Sequence, residues 1–258
     1  MPRKKIGLAL SGGGARGFSH VGVLAVLAEN NIPIDMIAGT SAGSIVGAAY
    51  ASGMTVDEIL DMSAAVGWMN MTRPSLSPLG LLTNAPMGQF LELHLPANKF
   101  EDLKIPFAAV AFDLESSVEV ILKDAGDLSS AIRASCAVPG VFAPLRDQQG
   151  RLLVDGGVTS PTPIDVVKQM GADVVIAVDL IACGATFRHT PRTAFGMLFQ
   201  SAMALLKAAS RNQKYQADVL IEPQIAHLRP DEIKKRDEFI HLGKESAREK
   251  IEEIKALL

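Results

Sequence analysis

Short apolar runs alternate with helical patterns along the first 180 residues of this chain. Such runs, bounded by glycine, proline or aspartate, are typical of strands, and the longer periodic segments between them are typical of helices. The run at 173–179 is apolar almost throughout, as expected for a strand buried on both faces of a parallel sheet. The alternation predicts an α/β fold, a three-layer α/β/α sandwich with a mostly parallel central sheet.

The same patterns assign the individual elements. Strands are predicted at 5–10, 35–39, 106–113, 151–154 and 173–179, with 117–123 forming a hairpin on 106–113. Helices are predicted at 15–29, 42–52, 128–135 and 163–170. Residues 66–95 are rich in proline, methionine and leucine, and we expect them to form an irregular apolar cover rather than a sheet.

The C-terminal part is expected to extend the same domain. We predict a single domain over 1–258, with the motifs within 5–180 and a helical extension over 181–258 that adds one further strand. From residue 230 onward the pattern predicts one charged helix with one packed and one solvated face. The residues of its packed face are Ile240, Gly243, Ala247, Ile251, Ile254 and Leu258.

Composition excludes several classes of protein. With 48% hydrophobic and 21% charged residues, the chain is neither disordered nor a coiled coil. A net charge of −3 gives no basic field for nucleic acid. No apolar run approaches the length of about 18 residues that a membrane-spanning helix needs. Cys136 and Cys183 cannot form a disulfide scaffold, so we expect a cytoplasmic protein.

Three glycine-marked turns carry the candidate chemistry, and the first is Gly12-Gly13-Gly14-Ala15-Arg16-Gly17. It satisfies G-x-G-x-x-G, but a dinucleotide site also needs an acidic residue where the second strand ends. Asp35 lies at the start of that strand, at the wrong end of the sheet. Glycine amides before a helix favour a negatively charged group, such as a phosphate or a developing oxyanion. A nucleotide-binding module is therefore the weaker alternative.

The second turn is Gly39-Thr40-Ser41-Ala42-Gly43, a G-x-S-x-G pentapeptide between a predicted strand and a predicted helix. In a nucleophile elbow the serine occupies a strained tight turn with its hydroxyl exposed above the sheet. Small flanking residues are needed because the strand and the helix approach closely there. Ser41 is therefore the candidate nucleophile.

The third turn is Asp155-Gly156-Gly157, which follows a short apolar run. An aspartate at the carboxyl end of a strand lies where open α/β sheets bind their ligands. Asp113 and Asp179 also end apolar runs, and the pattern alone does not separate the three. Acidic strand ends can hold Mg²⁺, but we predict neither a metal nor any other cofactor.

Together these turns resemble the signatures of the patatin-like phospholipases, in the same order. A fourth match is residues 134–144, which resemble that family's A-S-x-x-x-P-x-x-F-x-P block. His20, followed by an apolar stretch, also fits the family's first helix. After the third turn the family commonly has an asparagine before a proline, whereas this chain reads Val158-Thr159-Ser160-Pro161.

The resemblance implies a serine hydrolase that cleaves acyl esters of lipids, as a phospholipase, lysophospholipase or esterase. It implies a Ser–Asp dyad, with Ser41 as nucleophile and Asp155 as base. The oxyanion loop would comprise Gly12, Gly13 and Gly14, steadied by Arg16. The remaining motif glycines are Gly17, Gly39, Gly43, Gly156 and Gly157. A catalytically silent patatin-like regulatory protein is the second alternative.

A Ser–His–acid triad competes with the dyad. The chain order Ser41, Asp179 and then a histidine fits the α/β-hydrolases. The histidines that follow are His189, His227 and His241. That fold usually has several strands before its elbow, whereas one clear strand precedes the elbow here. We expect Cys136 to be a packing residue and His20 to have a packing or hydrogen-bonding role. His94 and His241 are expected to lie at the surface or to pack within helices.

Peripheral membrane contact stays open on sequence alone. Residues 185–217 contain no acidic residue, and their basic residues are Arg188, Arg192, Lys207, Arg211 and Lys214. A basic, apolar helix of this kind either packs on the sheet or lies on an anionic membrane surface. The expected partner is a lipid or acyl-ester substrate, and the oligomeric state is left open.

Overall fold

The computed structural model describes residues 3–182 and 190–258. Cys183, Arg188 and His189 therefore lie outside the described residues. The strands are β1 (Ile6–Leu10), β2 (Met36–Thr40), β3 (Arg73–Pro74), β4 (Gly80–Thr83), β5 (Phe107–Asp113), β6 (Val118–Lys123), β7 (Gly140–Phe142), β8 (Leu145–Arg146), β9 (Leu152–Asp155), β10 (Val174–Val178) and β11 (Val219–Ile221). The helices are α1 (Phe18–Glu29), α2 (Ala42–Ala51), α3 (Val56–Ala64), α4 (Trp68–Met71), α5 (Ala85–His94), α6 (Leu128–Ser135), α7 (Ile164–Gln169), α8 (Ala194–Gln213) and α9 (Arg236–Lys255).

The central sheet has eight strands, seven of them in the order β11-β10-β1-β2-β5-β9-β8. The first five run parallel, while β9 is antiparallel to β5 and β8 is antiparallel to β9. The eighth strand, β6, forms the predicted hairpin with β5. The predicted mostly parallel sheet is confirmed, and the six of its strands that were predicted with bounds begin and end within about one residue of those positions. Strand β8 was not predicted, and β11 was expected only as one further strand in the C-terminal part.

Helices cover both faces of the sheet. Strands β1, β2 and β10 are buried along their whole length. Because neighbouring side chains of a strand point to opposite faces, Leu8 joins the core cluster that includes α1 and α9, whereas Ala9 joins the cluster that includes α7. This arrangement is the predicted three-layer sandwich. Within the described residues, no helix combines the length and the apolar character needed to cross a membrane.

The expectation of an irregular cover at 66–95 is wrong. This segment contains α4, β3, β4 and α5, and its two strands join β7 in a second, three-stranded sheet. Local periodicity does not reveal this sheet, because β4 pairs in parallel with β7, a strand about sixty residues away in sequence. Pro74 fits in β3 because β3 is an edge strand, where a missing N–H group is tolerated.

The charged C-terminal helix is shorter than predicted. Helix α9 begins at Arg236, after a single 3-10 turn, and ends at Lys255. Five of the six expected packing residues are buried, but Leu258 lies beyond the end of the helix and is 42% exposed. Helix α9 packs closely on α1, since a Cβ atom on Gly243 would lie 2.1 Å from the carbonyl oxygen of Ser19.

This helix crossing should be sensitive to one added methyl group. We expect Gly243→Ala to lower the free energy of unfolding by about 1–3 kcal/mol, because the two backbones must separate. Glu249→Ala, an exposed change in the same helix, should alter it by less than about 0.5 kcal/mol. Denaturant unfolding of both variants measures the difference, and equal stabilities would contradict the close contact.

Candidate active site

Ser41 lies in a strained turn between β2 and α2. Its backbone angles are φ 52° and ψ −123°, in a region that costs a residue with a side chain about 1–3 kcal/mol. The glycines on either side permit the turn. A Cβ atom on Gly39 would lie 2.5 Å from the Gly43 carbonyl oxygen, and one on Gly43 would lie 2.2 Å from that of Leu10. The pentapeptide therefore forms the sharp strand-to-helix turn that its pattern predicts.

Hydrogen bonds on both sides hold this turn in place. The Ser41 amide donates to the Ser135 hydroxyl at 2.9 Å, and Ser135 is fully buried at the end of α6. The Ser41 carbonyl accepts from the Ser44 amide at 2.8 Å and from the Ser44 hydroxyl at 2.6 Å. Ser135 was not among the predicted site residues. Its place within the 134–144 block was the signal that could have identified it.

Strand β5 brings Asp155 to Ser41. On β5, Val110 pairs with Thr40 of β2, and the next residue, Ala111, pairs with Asp155 of β9. Since β6 occupies the other edge of β5 over residues 108–113, β2 and β9 share one edge and run towards each other. Their ends meet between Val110 and Ala111, which places Ser41 beside Asp155.

This topology corrects the argument by which the sequence pointed to Asp155. That argument took β9 as a parallel strand whose carboxyl end lies at the ligand-binding edge of the sheet. Strand β9 is antiparallel to β5, and Asp155 reaches the site because β9 ends in the middle of the sheet, opposite Ala111. A Cβ atom on Gly156 would lie 2.3 Å from the Val110 carbonyl oxygen, so the chain can turn away here only with glycine.

Burial controls the protonation of Asp155. The residue is 6% exposed, and the loss of solvation raises the pKa of its carboxyl to about 6. Hydrogen bonds from the Ser41 side chain and the Gly157 amide oppose this rise in pKa. The Gly157 amide lies 2.8 Å from Oδ1. The carboxyl is thus poised near neutral pH and in contact with the candidate nucleophile.

The other two strand-end aspartates have different partners. The Asp113 carboxyl accepts hydrogen bonds from the Ser116 hydroxyl and from nearby backbone amides. The Asp179 carboxyl accepts from the Ser210 hydroxyl at 2.6 Å and from the amides that follow it in its turn. Both therefore have turn-stabilising partners. Among residues 3–182 and 190–258, no cluster of His, Cys, Asp or Glu is suited to hold a metal ion.

The glycine loop lies against Ser41, since a Cβ atom on Gly12 would be 3.2 Å from that of Ser41. The Gly12 amide donates to the Pro161 carbonyl at 3.0 Å, and the Ala15 amide donates to that of Pro230 at 2.8 Å. In this loop the amides of Gly13 and Gly14 donate to no group within the described residues. Of the predicted oxyanion residues, these two have amides available for a ligand, whereas the Gly12 amide is already engaged.

Arg16 is buried beside this loop and fastens it to later parts of the chain. Its guanidinium donates to the Leu180 carbonyl at 3.4 Å and to the Leu228 carbonyl at 3.1 Å. The first carbonyl follows β10 and the second precedes α9. These contacts connect the glycine loop to two later segments of the chain.

The loop after Asp155 is held by a residue that the sequence did not single out. The hydroxyls of Thr159 and Ser160 both donate to the Glu119 carboxylate on β6, at 3.2 Å for Thr159. The Ser160 carbonyl accepts from the Thr40 hydroxyl at 2.7 Å. Glu119 thus links the loop to the sheet. No local signal marks it, because its partners lie about forty residues away.

The described histidines have partners that do not form a triad with Ser41. His20 is fully buried and donates from Nε2 to the Ser11 carbonyl at 2.8 Å, and burial lowers its pKa to about 4. His94 contacts the Phe90 carbonyl in its own helix. His227 and His241 pair with exposed glutamates of α9. The triad assignment therefore gains no support from these four residues.

Cys136 lies next to the site, but its environment keeps it protonated. Burial raises the pKa of its thiol, and the nearby Asp155 carboxylate raises it further. Its sulfur lies 3.9 Å from the Ser44 hydroxyl. A thiol with a raised pKa is a poor nucleophile at neutral pH, in agreement with the expected packing role.

The hydrogen bond at the elbow can be tested without an assay of activity. Ser135→Ala leaves the Ser41 amide without its acceptor, so we expect the free energy of unfolding to fall by about 1–3 kcal/mol. Ser130→Ala, at an exposed position of the same helix, should change it by less than about 0.5 kcal/mol. Chemical denaturation checks both values, and an unchanged stability of Ser135→Ala would argue against this bond.

Comparison with known proteins identifies the family of this chain. The sequence model of the patatin-like phospholipase family matches residues 8–168, which include all four motifs. An uncharacterised NTE family protein of Mycobacterium tuberculosis is 38% identical over 179 residues, which cover 68% of this chain and 49% of the relative. Human patatin-like phospholipase domain-containing protein 6 is 35% identical over 184 residues, covering 68% of this chain and 13% of that protein.

A solved structure shares the fold. The crystal structure of VipD from Legionella pneumophila matches with a TM-score of 0.56 and 15% sequence identity. The match covers 96% of this chain and 66% of that chain. At this identity the likeness shows the fold alone. The chain spans about half the length of the mycobacterial relative that it matches.

Proposed function

Because this chain belongs to the patatin-like phospholipase family, we propose that it hydrolyses acyl esters of lipids with Ser41 as nucleophile and Asp155 as base. The observation that carries the proposal is the register on β5, which makes Ser41 and Asp155 neighbours. Two further observations support it: the Ser41 side chain lies close enough to Asp155 to lower the pKa of its carboxyl, and the amides of Gly13 and Gly14 are free within the described residues.

In the first half of the reaction an acyl group moves to the enzyme. The Ser41 Oγ attacks the ester carbonyl carbon while its proton passes to the Asp155 carboxylate. The carbonyl oxygen becomes an oxyanion, which accepts hydrogen bonds from the amides of Gly13 and Gly14. The carbon–oxygen bond to the alcohol then breaks, and the alcohol leaves with the proton that Asp155 held.

In the second half, water replaces the alcohol. A water molecule gives a proton to Asp155 and attacks the acyl–Ser41 ester, passing through the same oxyanion. The bond to Ser41 Oγ breaks, the serine recovers its proton from Asp155, and the carboxylic acid is released. Each donor to the oxyanion contributes about 3–4 kcal/mol to such reactions, so the glycine loop supplies much of the rate.

The raised pKa of Asp155 suits this role. An aspartate with the ordinary pKa of about 3.9 is a weak base at neutral pH. Burial raises the pKa of Asp155 to about 6, which strengthens the base. At pH 7 about nine tenths of such carboxyls are still ionised and able to accept a proton.

The direct test is an ester series assayed beside Ser41→Ala. We expect the wild type to hydrolyse p-nitrophenyl esters, with a preference among acyl chain lengths, and Ser41→Ala to lose at least about a thousandfold in kcat/KM. Asp155→Asn should lose a comparable factor, whereas His227→Ala should be close to the wild type. If no ester is turned over by the wild type, the catalytically silent alternative is favoured.

The pH dependence of the same assay tests the base. Because Asp155 must be ionised to accept a proton, kcat/KM should rise with pH and level off above the pKa of about 6. At pH 5 we expect roughly a tenth of the plateau value. A profile that stays flat down to pH 5 would rule out a base with this pKa.

Stability provides an independent check on that pKa. The folded pKa of Asp155 is raised above its unfolded value, so the folded state binds more protons between about pH 4 and pH 6. Ionised Asp155 therefore destabilises the wild type above pH 6, by roughly 3 kcal/mol. Asp155→Asn should be the more stable protein at pH 8, and the difference should shrink as the pH falls towards 4.

A further inference from the structure

Helix α8 has eighteen residues whose burial the structure describes, and ten of them are exposed. It lies beyond residues 8–168, the part of the chain that the family model matches. Among its side chains that the structure describes, Ser210 alone is buried. A helix with this many apolar residues normally packs into a core, so its exposure requires an explanation.

The inner side of α8 rests on the candidate active site. The Ser210 hydroxyl donates to the Asp179 carboxylate at 2.6 Å and lies 3.3 Å from the Thr162 hydroxyl. One turn earlier, the Leu206 side chain lies 3.1 Å from the Cβ position of Gly157, whose amide donates to Asp155. The helix therefore packs directly on the turn formed by residues 155–158, which we call the Asp155 turn.

The outer side of α8 is apolar and uncovered. Met197, Leu198 and Leu205 are 56%, 67% and 73% exposed. Leu198 and Leu205 lie seven residues apart, so they share one face of the helix. Val158, in the Asp155 turn itself, is also 44% exposed. The sequence from 193 to 206 contains no charged residue, so no charge in this stretch keeps the outer face in water.

Basic residues flank the apolar stretch. Within 190–217 the chain contains no acidic residue, and the basic ones are Arg192, Lys207, Arg211 and Lys214. This is unusual in a chain whose net charge is −3. An apolar stretch between basic flanks complements an anionic bilayer, because apolar side chains enter the headgroup layer while the bases bind lipid phosphates.

We propose that the outer face of α8 docks on the surface of an anionic phospholipid bilayer. The inference rests on the proposed function, since a lipid ester must leave the bilayer to reach Ser41. Docking through α8 holds the Asp155 turn one helix diameter, about 10 Å, from the lipid surface, because the inner side of the same helix packs on Gly157. A lipid ester then has only a short distance to travel from the bilayer to Ser41.

Flotation with lipid vesicles tests this surface. We expect the wild type to float with vesicles of phosphatidylglycerol and phosphatidylcholine, and to do so less in high salt. Leu205→Glu should lower the partition coefficient at least about tenfold. Leu93→Glu, a change at a leucine on α5 that is 82% exposed, should leave it unchanged.

A second variant tests whether the basic residues contribute to binding. Arg211→Gln should weaken binding about fivefold on anionic vesicles, with little change on vesicles of phosphatidylcholine alone. Thermal unfolding of each variant verifies that it is folded. Equal flotation of Leu205→Glu and the wild type would overturn the proposal. So would a dimer of the wild type, seen by light scattering, that Leu205→Glu converts into a monomer.

The two proposals can fail separately. A wild type that floats with anionic vesicles but hydrolyses no ester would contradict the proposed function and leave the docking surface intact. A wild type that hydrolyses soluble esters but does not bind these vesicles would contradict the docking surface and leave the proposed function intact.

Discussion

The strained backbone at Ser41 is the constraint on which the rest of this structure depends. A residue with a side chain at φ 52° is costly, and the surroundings favour this conformation over the alternatives. Glycines at 39 and 43 remove the atoms that would collide, and the Ser135 hydroxyl satisfies the Ser41 amide. Because Ser135 ends α6 and Ala137 accepts from the Asp155 amide at 3.0 Å, one short segment positions both members of the proposed dyad.

The candidate site also contains a conflict between chemistry and stability. Burial strengthens Asp155 as a base by raising its pKa, and the same burial makes its ionised form unfavourable in the folded protein. His20 acts in the opposite direction, because its lowered pKa costs stability when the pH falls. Between about pH 4 and pH 6 the two effects partly cancel. The contribution of either residue to the pH dependence of the free energy of unfolding is therefore visible only when the wild type is compared with a variant of that residue.

Local patterns in the sequence predicted the local parts of this structure. The apolar runs located β1, β2, β5 and β10, because a strand buried on both faces needs apolar residues at nearly every position. The elbow at Ser41 was also predictable, because the residues that create it lie within the pentapeptide. The second sheet was missed because β4 finds its partner β7 far along the chain.

The difference between local patterns and contacts over a long sequence distance also explains why sequence reasoning missed two residues of the site. Ser135 and Glu119 act through hydrogen bonds to residues that are distant in sequence. Ser135 had a signal in the 134–144 block, whereas no local pattern marks Glu119. The direction of β9 was likewise set by its pairing with β5 rather than by its own composition. Sequence separated Asp155 from Asp113 and Asp179 through the family resemblance alone, whereas the structure separates them by their partners.

The C-terminal third of the chain completes the site although it lies beyond the family match. Strand β10 pairs with β1 along five residues, so a chain that ended at residue 168 would leave β1 without one of its two neighbours. The Pro230 carbonyl accepts from the glycine loop, the Leu228 carbonyl accepts from Arg16, and Leu206 packs on Gly157. Each contact supports a different element of the site. We therefore propose that the described residues 169–182 and 190–258 belong to the same folding unit as the motifs.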